Sequence, residues 1–401
     1  MKQEIINRIN QLTSQDEPFL FVINYQGEEA FIRLLSDIDP SECLFDFEGR
    51  SNQKEAFPQE ISQGNEDGKA SLPQPVFWEI EPPRFEDYER SFGIVKSNIM
   101  AGNSFLTNLT SKVPVRCHLS LEDIFHRTKG KYKLLLRRKS HQVDLAGDCS
   151  QNQDGQNQEN LKEENLKREN QKEENQQGEN QKKENLNKEN QQGENQQGEN
   201  PHSFVCFSPE TFVRIKGGRI YSYPMKGTLD ASLPDAEKQL MEDEKEAAEH
   251  ATIVDLIRND LSRVAEDVRV DKYRYIDVLH TNKGDILQTS SEISGRLPED
   301  YRNHLGEILA AQLPAGSITG APKAKTMQII HEAEGYDRGF YTGIMGIYDQ
   351  GELNSAVMIR FIEEEEEDED RKYFKAGGGI TSKSDCRKEY EEVIQKIYLP
   401  L

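Results

Sequence analysis

The sequence predicts a fold of mixed helix and strand, about 340 residues in all, interrupted near the middle by a segment with no fold of its own. Three observations carry this. Residues 19–34, FLFVINYQGEEAFIRL, alternate and turn as a hairpin with Gln26 and Gly27 at its tip. Residues 85–99, FEDYERSFGIVKSNI, suit an amphipathic helix, and AGNSFLTNLTSKVPV from Ala101 reads as a turn and a strand. From Gln156 to Asn200 run nine consecutive pentamers, each ending Glu-Asn. A period of five matches neither helix nor strand, and only Leu161, Leu166 and Leu186 are apolar there, too few to offset the entropy of ordering. A docking segment rich in Gln and Asn is the other reading of these repeats; we take them as a tolerated disordered insertion.

The flanks locate the insertion. KYKLLLRR (131–138) and SFVCFSPE (203–210) both read as strands, so removing residues 140–202 leaves a strand–turn–strand. A long loop at such a tip adds little closure entropy. Residues 48–75 are polar and read as loop.

At 401 residues the chain suffices for one large domain or two ordinary ones. Its 72 Asp and Glu against 50 Lys and Arg give a net charge of −22, which repels phosphate backbones and speaks against nucleic acid as a partner. Cys43, Cys117, Cys149, Cys206 and Cys386 are scattered, with no CxxC or Cys/His cluster, and read as reduced thiols of a cytoplasmic protein. No apolar stretch has the length of a membrane span.

The C-terminal half holds unusual strings: SPETF, YPMKGT, AEHATIVDLIRNDLSRVA, PAGSITGAPKAKTM, RGFYTGIMG, AVMIR, AGGGI and EYEEVIQK. Glu389, Glu392 and Lys396 are spaced to share one helix face, either a solvated stripe or a site. The three glycines of AGGGI let backbone N–H groups approach an anion. In GSITGAPK, Pro322 suits a first helical turn and Thr319 a cap, the makings of an anion site that an ordinary capped helix would share. In AEHATIVDLIRNDL, Ala248, Ala251, Ile253, Val254 and Ile257 form an apolar stripe with Glu249 at its edge, a surface residue or a ligand turned inward.

Together these strings resemble the chorismate-utilising enzymes, most closely the aminodeoxychorismate synthases among them, over roughly residues 85–138 and 203–397. The resemblance implies an α+β fold of orthogonally packed antiparallel sheets flanked by helices, in α/β/β/α layers. It divides the chain into residues 1–84 as the N-terminal part of the fold, 85–139 as the first part of the chorismate-binding domain, 140–202 as the insertion and 203–401 as the main catalytic part. It implies Mg²⁺ held by Glu249 and Glu392, with Glu389 nearby through water, and carboxylates are the ligands Mg²⁺ prefers. Arg360 would hold the enolpyruvyl carboxylate, with Gly377 and Gly378 adding N–H donors. Tyr341, Gly227, Thr228, Ser317, Thr319 and Lys396 would line the pocket.

Within the family the middle of PxxGT separates activities. Anthranilate synthases carry Ala there; this chain has Lys226, as the enzymes making 4-amino-4-deoxychorismate do. The resemblance implies that the Lys226 amine attacks C2 of chorismate, with a pKa lowered for the purpose, while Glu210, its pKa raised, protonates the leaving C4 hydroxyl. Members that add water place a lysine base where this chain has Leu106, which disfavours isochorismate formation. Gln288 stands where the family has His, and Phe361 where it has Thr. No Cys lies in a GxCxG context, so ammonia is expected from a partner glutamine amidotransferase, with 4-aminobenzoate for folate downstream. The alternatives are an anthranilate synthase and, in another class, a catalytically idle interaction protein using the repeats.

Overall fold

The protein is described by a computed structural model, in residues 1–53, 76–137, 203–281, 284–365 and 368–401. The readings made on residues 54–75 and on the insertion 140–202 lie outside the described residues. Those described belong to one compact unit, Met1–Arg138 with His202–Leu401.

The N-terminal part supplies helix α1 (Gln3–Ser14), strands β1 (Phe19–Ile23), β2 (Ala30–Leu34), β3 (Cys43–Phe47), β4 (Arg50–Ser51) and β5 (Glu79–Ile80). Helix α2 (Phe85–Met100), β6 (Leu106–Arg116), α3 (Leu121–Arg127) and β7 (Tyr132–Leu136) follow. After residue 202 come β8 (Phe204–Ser208), β9 (Thr211–Lys216), β10 (Arg219–Ser222), β11 (Met225–Asp230), α4 (Ala236–Glu242), α5 (Glu244–Leu261), β12 (Glu266–Thr281) and β13 (Gly284–Arg296). The chain ends with α6 (Leu305–Gln312), β14 (Gly320–Ala321), α7 (Lys323–Glu334), β15 (Ile344–Asp349), β16 (Glu352–Val357), β17 (Phe361–Glu365), β18 (Asp368–Ile380) and α8 (Cys386–Gln395).

Among the described residues all pairings are antiparallel and form two sheets. The first runs β11-β13-β10-β9-β16-β15-β1-β2, with β12 also on β13; the second runs β14-β6-β18-β17-β8-β7-β3-β4, with β5 on β6. Strand β1 shows why the sheets pack face to face. Its alternate residues Phe19, Phe21 and Ile23 join a core with Ile5, Ile9, Leu305 and Leu309 of the helices outside. Leu20 and Val22 join another with Phe45, Leu134, Phe204 and Phe361 of the second sheet. A strand covered on both faces reads as the unbroken run FLFVI, and burying each such side chain stabilises by roughly 1.5–3 kcal/mol. Helices α2, α7 and α8 cover the outer face of the second sheet through Val95, Ile99, Ile329 and Val393. The result is the α/β/β/α layering expected of an α+β fold. Among the described residues no helix is long and apolar enough to cross a membrane.

Strands β7 and β8 pair from Tyr132↔Ser208 to Leu136↔Phe204, so the chain leaves and re-enters at adjacent strand ends. Replacing residues 140–202 with a short turn is therefore expected to leave the melting temperature nearly unchanged, checked by calorimetry.

Candidate active site

A cavity of about 630 Å³ opens between the two sheets and α5, and it collects side chains from distant parts of the sequence. Lys226 comes from β11, where the register with β13 slips between Lys226 and Thr228. Gly227 fills the slip at φ +79°, a conformation that favours glycine, and a Cβ there would stand 3.0 Å from Glu246 Oε2. Such a bulge re-aims the side chain beside it, and Lys226 lines the cavity. Glu249 and Lys245 arrive on α5, Glu392 and Lys396 on α8 and the residue that follows it. Glu210 lies in the turn between β8 and β9. Arg360, between β16 and β17, sits at φ +56°, a left-handed conformation that a non-glycine residue holds only where its surroundings impose it.

Gly377 and Gly378 lie on β18 beyond its pairing with β17, which ends at Lys375. The Gly377 carbonyl accepts from Lys396 Nζ at 2.9 Å. In a strand the N–H of a residue points the same way as its carbonyl, so the Gly377 donor lies on that edge too. A Cβ on Gly378 would meet Glu389 Oε2 at 3.6 Å, Lys396 Nζ at 3.7 Å and Glu392 Oε1 at 3.8 Å, so bare backbone faces these charges.

Behind the cavity a buried pair fixes its wall. Arg338 donates to both carboxylate oxygens of Glu334, at 2.8 and 2.6 Å, and to the carbonyls of Ile318 (3.0 Å) and Asn108 (2.8 Å). The two side chains are 2% and 1% exposed. Arg338→Met strands Glu334 without its partner and is expected to cost about 3–5 kcal/mol, measured by urea denaturation.

The electrostatics divide the lysines. Burial pulls the Lys226 amine down, but Glu249, bonded to it at 3.0 Å and aided by Glu246 and Glu392, outweighs burial and holds its pKa above the ordinary lysine value. The lowered pKa expected for Lys226 is thus not found, because its partner sits on another element. Lys396 is the depressed lysine: burial outweighs its 2.7 Å contact with Glu392, and Arg360 and Lys226 add like charge. Glu210 runs the expected way. Burial raises its pKa, against the hydrogen bond from Ser317 Oγ at 2.5 Å and the charge of Arg360.

Of the residues expected at the site, Lys226, Glu210, Arg360, Ser317, Tyr341, Gly377, Gly378, Lys396, Glu249 and Glu392 line this one cavity. Glu389 is set back beside Gly378. Gly227, Thr228 and Thr319 are not on the wall. Thr228 is exposed and pairs with Gln288, while Thr319 is fully buried and its carbonyl accepts from Asn108 N at 2.9 Å. Thr319 does not cap α7 either: Gly320 and Ala321 bridge to β6 first, and the helix starts after Pro322. Ala248 and Ala251 of the expected stripe are exposed, and His250, Ile253, Val254 and Leu261 are the buried positions. The sequence reading missed Lys245 and Glu246, although Lys245 and Glu249 have the i, i+4 spacing of an ion pair, here 3.7 Å apart. It also missed Met100 and Phe105, which line the cavity with 70% and 67% of their surface exposed.

Glu249, Glu389 and Glu392 offer oxygen donors only, beside a cavity with room for water, a donor chemistry that fits Mg²⁺. Two of these carboxylates are engaged by ammonium groups, and among the described residues no three His, Cys, Asp or Glu side chains are gathered as a metal cluster.

Comparison with known proteins agrees with this architecture. An uncharacterised PabA-like protein of Haemophilus influenzae is 41% identical over 399 residues, spanning all of this chain and 97% of its own. Anthranilate synthase component 1 of Aquifex aeolicus is 39% identical over 198 residues, 47% of this chain and 38% of its own. Among solved structures, DhbC of Bacillus anthracis superposes with a TM-score of 0.63 at 16% identity, covering 99% of this chain and 88% of its own. MenF, the menaquinone-specific isochorismate synthase of Escherichia coli, gives 0.54 at 14%, covering 99% and 90%. These two share the fold. Residues 196–401 match the chorismate binding enzyme family, and with that match the chain belongs to the chorismate-utilising enzymes.

Proposed function

We propose that the protein converts chorismate and ammonia to 4-amino-4-deoxychorismate, with Lys226 as nucleophile and Glu210 as general acid. The observation that carries the reading is that an amine and a carboxyl biased toward its protonated form line the same cavity as Arg360. Lys226 loses its proton to solvent, parts from Glu249 and attacks C2. Glu210 gives its proton to the C4 oxygen, which leaves as water. Ammonia then attacks C4, and the C2–N bond to Lys226 breaks. Arg360 suits the enolpyruvyl carboxylate by its bidentate geometry, and the Gly377 N–H adds a donor. Glu249 and Glu392, with Glu389, would hold Mg²⁺, which when bound neutralises the ring carboxylate. Leu106 lines the cavity and cannot activate water, which supports amination over hydration. The ammonia is assigned to a partner glutamine amidotransferase.

Purified protein with chorismate, ammonium salt and Mg²⁺ is expected to yield 4-amino-4-deoxychorismate by mass spectrometry and chromatography. Anthranilate as product would overturn the assignment in favour of the second reading, which the relatives named anthranilate synthase support and which Lys226 opposes. Untouched chorismate, with the amidotransferase also present, would leave an interaction protein. Removing the metal with EDTA is expected to abolish turnover, and excess Mg²⁺ to restore it.

A further inference from the structure

Glu210 faces two spaces. Besides the large cavity it lines a second one of about 30 Å³, whose wall includes Ser222, Asp260, Gln312 and Ser317. A single water needs roughly 10–15 Å³ of such space and two to four polar partners, and this lining supplies hydroxyls, an amide and two carboxyls. Asp260 closes the far side. Its carboxylate, 13% exposed, is bonded to Lys323 Nζ at 2.8 Å. Lys323 also donates to the Gln312 carbonyl at 2.8 Å, and Gln312 Nε2 donates to the Asp260 carbonyl at 2.9 Å. This triangle ties the end of α5 to α6 and α7. Gly316 keeps the space open, since a Cβ there would stand 3.0 Å from Asp260 Oδ2.

We infer that the small cavity is a hydrated passage through which Glu210 regains its proton, with Asp260 relaying it from the surface. The inference rests on the reading of Glu210 as general acid. Each turnover breaks the C4–O bond, and the Glu210 proton leaves in the water that forms. Chorismate, ammonia and one proton then give the aminated product as its ammonium form and one water, so Glu210 needs one proton back per cycle. With substrate filling the large cavity, the small one is the other space it faces. Asp260 touches no substrate; it acts through Glu210 as a positioning residue for the returning proton. The charged groups facing it are Lys323 and Arg263; Glu210 faces the charge of Arg360 and accepts from the neutral Ser317 hydroxyl.

The test compares Asp260→Asn, Asp260→Glu and Glu210→Gln with the full-length wild type, using chorismate, Mg²⁺ and saturating ammonium salt. Asp260→Asn is expected to lower kcat about tenfold with KM for chorismate unchanged, to enlarge the solvent deuterium isotope effect, and to recover with added imidazole as a proton donor. Asp260→Glu, which keeps a carboxyl at the passage, is expected to retain most of the rate. Wild-type kcat and isotope effect in Asp260→Asn, with Glu210→Gln inactive, would overturn the passage. Activity in Glu210→Gln would instead overturn the general acid on which it rests. Should Asp260→Asn fail to fold, Lys323→Gln reads the same route: an enlarged isotope effect supports it and an unchanged one overturns it.

Discussion

Lys226→Ala is expected to lose amination by about 10⁴-fold or more, the scale on which removal of a covalent nucleophile is felt, while the protein stays folded. The folding half of this follows from position. The Lys226 side chain is 32% exposed, and its partner Glu249 keeps Lys245 at 3.7 Å when the amine is gone. An ion pair this open is worth within about 1 kcal/mol, so denaturation curves of the two proteins should nearly coincide. The catalytic half follows from chemistry. Lys245 also lines the cavity beside Glu249, but it stands on α5 and not at the β11 bulge, so the variant lacks the amine placed to bond C2. In wild type incubated with chorismate but without ammonia, intact-mass measurement should find a chorismate-derived adduct on Lys226, absent from the variant. The pH dependence has a definite sign. Glu249 holds the amine above the ordinary lysine value, so the neutral, attacking form grows as pH rises, and kcat should climb with pH for as long as Glu210 keeps its proton. Full amination by Lys226→Ala would remove the covalent route.

Much of the fold was legible because its signals are local. Hairpin β1–β2 announces itself in the apolar run FLFVI and a glycine tip, and α2 in its apolar spacing, because β1 is buried on both faces and α2 along one continuous stripe. The site was legible only as scattered strings. Their convergence depends on strands that pair across long stretches of sequence, such as Gly377 with Thr110. What the sequence could not carry are quantities set by a neighbour on another element. The raised Lys226 pKa comes from Glu249 on α5, and the depressed Lys396 pKa from depth between β18 and α8. Thr319 was misread as a cap for the same reason: the two residues after it are drawn into a bridge with β6 before the helix begins. Gly320 shows how tight that bridge is, since a Cβ there would stand 1.8 Å from the Leu106 carbonyl oxygen.

Glu210→Gln should make the enzyme slower and sturdier at once. Gln keeps the size of the side chain and can still accept from Ser317, but it has no proton to give to the C4 oxygen. General acid catalysis is worth about 10²–10⁴-fold, and a loss in that range of kcat is expected, with KM for chorismate little changed. The gain in stability comes from linkage. Burial raises the folded-state pKa of Glu210 above that of the unfolded chain. The stability this group contributes is complete below the unfolded carboxyl pKa and drains away as pH rises through the folded value, because the unfolded chain ionises more readily. At pH 7 the wild type therefore bears a penalty that the permanently neutral Gln does not. The variant should melt about 1–3 °C higher at pH 7, with the difference closing as pH falls below the ordinary glutamate range. Calorimetry at pH 4 and pH 7 on both proteins reads this directly. Equal melting differences at the two pH values would mean that Glu210 is not held as the acid, and kcat near wild type would mean that another group protonates the leaving oxygen. Slower turnover with higher stability is the pattern of a site whose strain serves its chemistry.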